Sequence, residues 1–442
     1  MKLGIVGTGY VGLTTGTIFA RFGHRVQCAD NDRAKLELLR QGKVPFYEPG
    51  LQPLLEKAIR SGAISFHDSI ARVVRDNQVI FMCVPTPPLP SGMADLSAVE
   101  NVARQIAETL PGYRLIVEKS TVPVRTGARV RRVIERCARK GAEFDVASNP
   151  EFLREGSAVE DALRPDRIVI GVDSPRAEKL LRAVYRPFKA PLIVTDLQAA
   201  ELIKHAANSF LAMKISFANA IAAICDLVGA DVTQVAGAVG LDPRIGPAFL
   251  NAGIGYGGSC LSKDVQAFQA IARELGYDFR LLGEVEKINK ETRARFLRKL
   301  EEELWILNGK TAAVLGLAFK PNTDDIRDSV AIEIVKELIA RGVAVRAYDP
   351  RAMDKARAVL GGGATFCRDG YEACAGADCV LLLTEWPEFL KLDWGRVKRA
   401  VRQPILFDGR NALDPELLAK RGFVHRAMGR PSLKTARRGK TR

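Results

Sequence analysis

Apolar residues follow two alternating patterns over the first 195 positions of the chain. Short runs, LGIV (3–6), RVQCAD (25–30), QVIFMCV (78–84), RLIVEKS (114–120) and RIVIGV (167–172), are too brief for helices and rich in β-branched residues. They read as buried strands. The stretches between them have the apolar spacing of helices. Strand and helix in alternation predict an α/β fold with a doubly wound parallel sheet.

From 196 to 229 the pattern changes. DLQAAELIKHAANSFLAMKISFANAIAAICDLVG contains no proline and no internal glycine, which predicts one long helix capped by Asp196 and ended by Gly229. It is apolar nearly all round, so it needs cover on several sides, by this chain or by a second subunit. From about 310 the alternation returns, with strands expected in KTAAVLGLAF (310–319), VAVRAYD (343–349), DCVLLLT (378–384) and PILFDG (404–409). Two α/β domains, 1–195 and 306–425, are therefore expected on either side of a helical middle domain, 196–305. No literal repeat accompanies this duplication of architecture.

Composition narrows the class. No unbroken apolar run reaches the ~20 residues of a membrane span, so none is expected, and glycines interrupt MKLGIVGTGY too early for a signal peptide. The eight cysteines are scattered without a CxxC pair, which favours a reducing, cytoplasmic setting, and no His/Cys spacing suggests a metal. A net charge of +15 suits an anionic partner. Part of it lies in 426–442, a basic segment that composition marks as a disordered, solvated tail. No aromatic residue interleaves those charges, so nucleic acid is not expected as a partner.

Candidate chemistry begins at Gly7-Thr8-Gly9-Tyr10-Val11-Gly12. This GxGxxG follows the first strand, opens a helical pattern, and is followed by Asp30 at the end of the next strand. That is the dinucleotide fingerprint: glycines admit a pyrophosphate to the backbone and the helix N-terminus, and the acid accepts from a ribose. A carboxylate there repels a 2′-phosphate, so NAD is the expected cofactor. Both α/β domains are then Rossmann-like. The second lacks the glycines but carries Lys320 and Arg327 in GLAFKPNTDDIRDS, which suit a different phosphate ligand or a solvated loop.

The segment 241–259 is glycine-rich, and ordered glycine loops let a backbone approach a ligand closely. With Ser259 as N-cap, Cys260 falls in the first turn of the next helix, where the dipole favours a thiolate, and Asp264 lies one turn on. This arrangement suits a covalent nucleophile; the other reading is a packing cysteine. Lys204 and Asn208 share a face of the long helix, either as functional groups or as a snorkelling lysine with its neighbour. Glu151 and Glu155 have the same spacing in NPEFLREGS, on one face if that segment is helical. Thr121 follows a strand end, where α/β sheets bind ligands.

GIVGTGYVGL, CVPTPP, KSTVP, SNPEFLREG, ELIKHAANSFLAMKISFANAIA, DPRIGPAFLNAGIGYGGSCLSKD, GLAFKPNTDDIRDS and FDGRN, in this order, resemble the UDP-glucose 6-dehydrogenase family, within the wider group of UDP-glucose and GDP-mannose dehydrogenases. The resemblance runs from the first strand to about residue 425. It implies oxidation of a sugar C6 hydroxyl to a carboxylate, with two NAD reduced. In that reading Cys260 forms a thiohemiacetal and then a thioester, and Asp264 helps activate water. Lys204 stabilises charge on the C6 oxygen with Asn208 as its hydrogen-bonding partner, and Thr121 and Glu151 hold water or pass protons.

The same resemblance assigns sugar-nucleotide contacts to Glu151, Phe152, Leu153, Lys204, Asn208, Phe249, Leu250, Asn251, Ala252, Gly253, Gly257, Lys320 and Arg410. It assigns NAD contacts to Gly7, Gly9, Val11, Gly12, Asp30, Lys35, Thr121, Glu155, Lys263 and Arg327. Arg244 is implied to reach the site of a neighbouring subunit in a homodimer built around the long helix. Two departures stand out: SCLSKD replaces the usual SCFPKD, and Arg125 stands where KSTVPVGT has glycine. UDP-glucose is the expected substrate. The alternatives are the same chemistry on GDP-mannose or a UDP-N-acetylhexosamine, a one-step alcohol dehydrogenase with no use for Cys260, and a non-catalytic nucleotide-sugar sensor.

Overall fold

The computed structural model describes residues 1–432. By internal packing the chain forms two units, Met1–Asn208 with Gln266–Asp278, and Ser209–Val265 with the described residues from Phe279 onward. The division falls inside the long helix, Leu197–Val228.

The first unit is built on an eight-stranded sheet: β1 (Lys2–Val6), β2 (Arg25–Ala29), β3 (Ile64–His67), β4 (Val79–Met82), β5 (Arg114–Glu118), β6 (Phe144–Ser148), β7 (Ile168–Val172) and β8 (Leu192–Thr195). Their order is β3-β2-β1-β4-β5-β6-β7-β8. Leu3, Ile5, Val79, Phe81, Leu115 and Val117 are fully buried, because helices cover both faces of the central strands. The parallel expectation fails at one ladder. β6 and β7 are antiparallel, with Ala147 opposite Val172 and Ser148 opposite Gly171. The chain that joins them, which includes SNPEFLREG, therefore stays at the edge where β1, β2, β4 and β5 also end.

The second unit has a six-stranded, wholly parallel sheet: β9 (Thr311–Leu315), β10 (Ala344–Tyr348), β11 (Ala364–Phe366), β12 (Cys379–Leu382), β13 (Ile405–Asp408) and β14 (Val424–Ala427). Its order is β11-β10-β9-β12-β13-β14, the same winding as the first six strands of the other sheet. The duplication of architecture is thus real without a sequence repeat. The five strands that apolar runs did not reveal are β3, β6, β8, β11 and β14. Four of them are sheet edges, half-solvated and so lacking an apolar run, and the fifth, FDVAS, carries Asp145.

The basic segment begins later than its composition implies. Arg426 pairs with Glu303, Met428 is buried, and Arg430 pairs with Asp231. Strand pairing with β13 and two half-buried acids hold these residues despite their charge; the rest of the expected tail, 433–442, lies outside the described residues.

In the long helix, Asp196 Oδ1 accepts from Ala199 N at 2.7 Å, and Gly229 at φ 76° follows its last turn. By length and composition this is the one described helix that could cross a membrane, which the absence of an unbroken apolar run did not suggest. Glu201, Lys204, His205 and Asn208 are nonetheless buried on it, and the first three bond to protein groups, as in a core helix.

Candidate active site

At the C-terminal end of β1 the chain turns through Gly7 at φ 95° into the helix Tyr10–Arg21. A Cβ on Gly7 would strike the Cys83 carbonyl and one on Gly12 would strike the Gly7 carbonyl, whereas nothing lies within 4 Å of a Cβ placed on Gly9. The turn is thus closed on its protein side and open at Gly9. No side chain caps the helix, so its first N–H groups are available to a phosphate.

Asp30 Oδ2 accepts from Thr8 N at 2.7 Å, Thr8 Oγ1 at 2.6 Å and Lys35 Nζ at 3.1 Å, and Oδ1 from Asp32 N at 3.0 Å. Burial pushes its carboxyl up, but the Thr8 hydroxyl, the two N–H groups and Lys35 outweigh that and hold it below the usual range. An ionised acid braced to the glycine turn fits the ribose of NAD. Asp30→Ala is expected to weaken NAD binding about 10- to 100-fold, the value of a charged hydrogen bond, and to narrow the preference over NADP. Titration with both cofactors checks this; unchanged NAD affinity refutes the contact.

Asp349 occupies the matching place after β10 and accepts from Leu317 N at 2.7 Å and Ala318 N at 3.0 Å. It also takes the Trp386 indole N–H and is only 1% exposed. In the second unit this acid is an internal brace.

Lys204 is buried, so the snorkelling reading fails. Its Nζ lies 3.1 Å from Glu151 Oε1 and 5.4 Å from the centre of the Phe152 ring. Glu151 Oε2 accepts from Leu153 N at 2.6 Å. The segment is not helical, so Glu151 and Glu155 do not share a helix face; the carboxylate instead folds its own loop around Lys204. Arg167 stacks on Phe152 at 3.9 Å, fixing the ring against which the ammonium rests. Asn208, one turn from Lys204, is also buried.

Several residues of this cluster were not singled out from the sequence. Lys119 is buried and donates to Asn149 Oδ1 at 3.0 Å, anchoring the start of the Glu151 loop; burial pushes its ammonium down. Glu48 accepts from Gly156 N at 2.6 Å, Ala158 N at 2.7 Å and the Tyr10 hydroxyl, tying the end of that loop to the glycine-turn helix. Glu118 ends β5, and burial pushes it up to about 8 against the Ser120 N–H and hydroxyl. Glu201 accepts from Arg125 N and Gly127 N; burial pushes it up to about 7 against those two N–H groups and the charge of Arg129. His205 Nε2 bonds to Val122 O at 2.8 Å. Glu201 and His205 were legible in principle, since polar residues at 201, 204, 205 and 208 recur at helical spacing in an apolar helix.

In the second unit Cys260 is exposed, and it stands one position earlier than expected. The helix is Leu261–Glu274, and Cys260 O accepts the first helical bond, from Asp264 N at 2.9 Å. Cys260 is therefore itself the cap residue. The Ser259 hydroxyl lies 3.8 Å from its Sγ, in reach of a sulfur hydrogen bond. Asp264 is fully buried, with Lys263 Nζ 2.7 Å from its Oδ1. The preceding backbone is pinned: Gly253 N donates to Asn219 Oδ1 at 2.8 Å, Ile254 N to Gly409 O at 2.8 Å and Tyr256 N to Asn289 Oδ1 at 2.9 Å. A Cβ on Gly257 would strike the Asp328 carbonyl. Phe249 has φ 64°, Leu250 and Ala252 are buried, and Asn251 is exposed.

Arg410 donates to the carbonyls of Leu383 at 2.7 Å, Gly255 at 3.1 Å and Phe319 at 3.2 Å, which uses three of its five N–H groups to join three loops. Lys320 rests 5.3 Å from the Phe319 ring centre. Arg327 is bidentate to Asp325 and exposed, and Arg244, also exposed, is bidentate to Asp242.

In the first unit, a glycine turn at a helix start with a ribose-type acid braced to it marks an NAD-linked dehydrogenase fold. Three family models match in chain order: the NAD binding domain of the UDP-glucose/GDP-mannose dehydrogenase family at residues 1–189, its central domain at 198–291 and its UDP binding domain at 313–415. The chain belongs to this family. It is 45% identical over 433 residues to UDP-glucose 6-dehydrogenase TuaD of Bacillus subtilis, covering 98% of this chain and 94% of that one. It is 46% identical over 438 residues to UDP-glucose 6-dehydrogenase of Rhizobium meliloti, covering 98% and 100%. Among solved structures, a UDP-glucose dehydrogenase of the hyperthermophilic archaeon Pyrobaculum islandicum matches with a TM-score of 0.89 at 42% identity, over 93% of this chain and 94% of that one.

Proposed function

We propose that this protein oxidises UDP-glucose at C6 to UDP-glucuronate, using two NAD and a covalent step on Cys260. The substrate follows from the near-full-length likeness to UDP-glucose 6-dehydrogenases. The chemistry follows from one observation, an exposed thiol at a helix start behind a pinned glycine backbone.

NAD, when bound, supplies the hydride acceptor for each of the two oxidations. The chain does the rest. Gly7, Gly9 and Gly12 admit the pyrophosphate, with Val11 beside them; Asp30 and Lys35 hold the ribose; Thr121, Glu155, Lys263 and Arg327 complete the cofactor contacts. Lys204 holds a positive charge against the C6 oxygen as the hydroxyl loses its proton, with Asn208 as a second donor. Glu151 keeps that ammonium placed, and Thr121 and Glu151 hold water. Cys260 Sγ adds to the C6 aldehyde, forming a C–S bond while the carbonyl oxygen takes a proton. This thiohemiacetal keeps the aldehyde on the enzyme. After the second oxidation the thioester is cleaved by water, activated with the help of Asp264, and the thiol is restored. Phe152, Leu153, Phe249–Gly253, Gly257, Lys320 and Arg410 are the further sugar-nucleotide contacts that the family likeness implies.

A homodimer is part of this reading. Phe210, Phe217 and Ile224 stand seven residues apart on the long helix and are 58%, 53% and 54% exposed, an apolar stripe suited to a second copy. Arg244 is the group that would reach the partner's sugar. Eight free thiols suit a reducing compartment such as the cytoplasm.

The deciding experiment is NADH formed per UDP-glucose consumed, run to completion. Two per sugar, with UDP-glucuronate as product, is expected. One per sugar defeats the thioester, and none, with turnover of GDP-mannose or a UDP-N-acetylhexosamine instead, moves the assignment to that sugar.

A further inference from the structure

Arg125 has φ 75° and ψ 9°, the left-handed conformation that a residue with a Cβ rarely holds. It lies between β5 and the helix Thr126–Cys137, at the end of the segment that contains Thr121. Something must over-determine this backbone. Glu201 Oε2 accepts from Arg125 N at 2.6 Å and Oε1 from Gly127 N at 2.7 Å, so both oxygens of one buried carboxylate grip the turn. A Cβ on Gly127 would come within 3.3 Å of that carboxylate and of Leu197, so the grip leaves little room for a larger residue. His205 Nε2 donates to the Val122 carbonyl at 2.8 Å, and Thr86 Oγ1 donates to the Thr121 carbonyl at 2.9 Å.

Glu201, Lys204, His205 and Asn208 stand at i, i+3, i+4 and i+7, one stripe of one helix. The same stripe that carries Lys204 therefore carries two groups bonded to the Val122–Gly127 backbone. We propose that Glu201 is a positioning residue for the oxidation: by gripping the strained turn at Arg125 it holds Thr121, with the help of His205, in register with Lys204. The proposal rests on the functional reading above, in which Thr121 and Lys204 both serve the reaction.

The Arg125 side chain is exposed, so its role here is that of its backbone alone. This makes the proposal separable from general loss of structure. In Glu201→Gln the amide NH2 faces a backbone N–H where an oxygen had accepted. The expected result is a fall in kcat of up to about 10²-fold, the effect of a small misplacement of reacting groups, with KM for UDP-glucose within about 3-fold of the parent and KM for NAD changed by less than kcat, since Thr121 is one of many cofactor contacts. Arg125→Gly alone should leave both constants unchanged, because glycine adopts this conformation without strain. In the double variant Glu201→Gln/Arg125→Gly, kcat should recover most of the loss.

A kcat that stays low in the double variant, or an undiminished kcat in Glu201→Gln, overturns the positioning role. If Glu201→Gln does not fold, the double variant carries the test alone: kcat near the parent's supports the proposal and a kcat still reduced about 10²-fold overturns it. Thr121→Ala, measured alongside, separates this from failure of the functional reading. If Thr121→Ala keeps full kcat, Thr121 has no part in the reaction and the functional reading of this segment is what fails; if Thr121→Ala is slow while Glu201→Gln is not, only the positioning role is lost.

Discussion

Cys260→Ser is expected to bind NAD and UDP-glucose as the parent does and to form UDP-glucuronate at least about 10³-fold more slowly, a loss of roughly 4 kcal/mol of transition-state stabilisation. A hydroxyl at neutral pH is a far weaker nucleophile than a thiol. The change is nearly isosteric and Cys260 is exposed, so the midpoint of thermal unfolding should not move and stability should stay within about 0.5 kcal/mol. That combination separates chemistry from folding. Product is quantified by the carboxylate formed, and binding by titration of each ligand. Normal acid formation in this variant ends the thioester mechanism and leaves Cys260 with a structural role.

Lys204→Met is expected to fail in two separable ways. Met keeps much of the side-chain length without the charge. Activity should fall by about 10²- to 10³-fold, the usual cost of removing a charge or donor aimed at a developing oxyanion. Stability should fall by about 3–5 kcal/mol, because Glu151, only 8% exposed, loses the cation 3.1 Å away. Adding Glu151→Gln should restore much of the stability, since a neutral amide suits the site, but none of the activity. Urea unfolding and steady-state rates on the two single variants and the double one decide the matter. Recovery of activity together with stability would mean that Lys204 only neutralises a buried acid.

These two residues were legible to different degrees, and the difference is physical. Cys260 could be picked out because its signal is local: a glycine-rich stretch, a thiol and the apolar period of a new helix lie within twenty residues of one another. Even so, the helix begins at Leu261 and Cys260 caps it, because the choice of first hydrogen-bonded turn is a matter of one residue that periodicity cannot resolve. Lys204 could be noticed as a polar interruption of an apolar helix, yet nothing in the sequence distinguished a snorkelling lysine from a buried one. Its partner Glu151 is 53 residues away in sequence, just past the end of β6, and only the folded chain brings that loop against the long helix.

Arg410 makes the same point in the second unit. Family likeness presents it as a substrate contact. Packing gives it a further task, since three of its N–H groups join the carbonyls of loops at 255, 319 and 383. Glu48 was invisible because it lies in an irregular stretch with no period, and its value comes wholly from the N–H groups that residues 156 and 158 bring to it.

The sequence by itself determined the α/β winding of both sheets, the dinucleotide turn with Asp30, the long helix with its two ends, and the thiol at the start of the helix that follows the glycine loop. Each of these is written in spacings of a few residues: runs buried on two faces, a 3.6-residue period, glycines where a Cβ would collide. Only the tertiary structure decided which edge strands complete the sheets, that β7 reverses, that the chain stays ordered past residue 425, and which buried charges meet. Those outcomes depend on desolvation and on hydrogen bonds between segments far apart in the chain. A buried carboxylate such as Glu201 or Glu151 declares its function only once the backbone N–H or ammonium that compensates its burial has been folded against it.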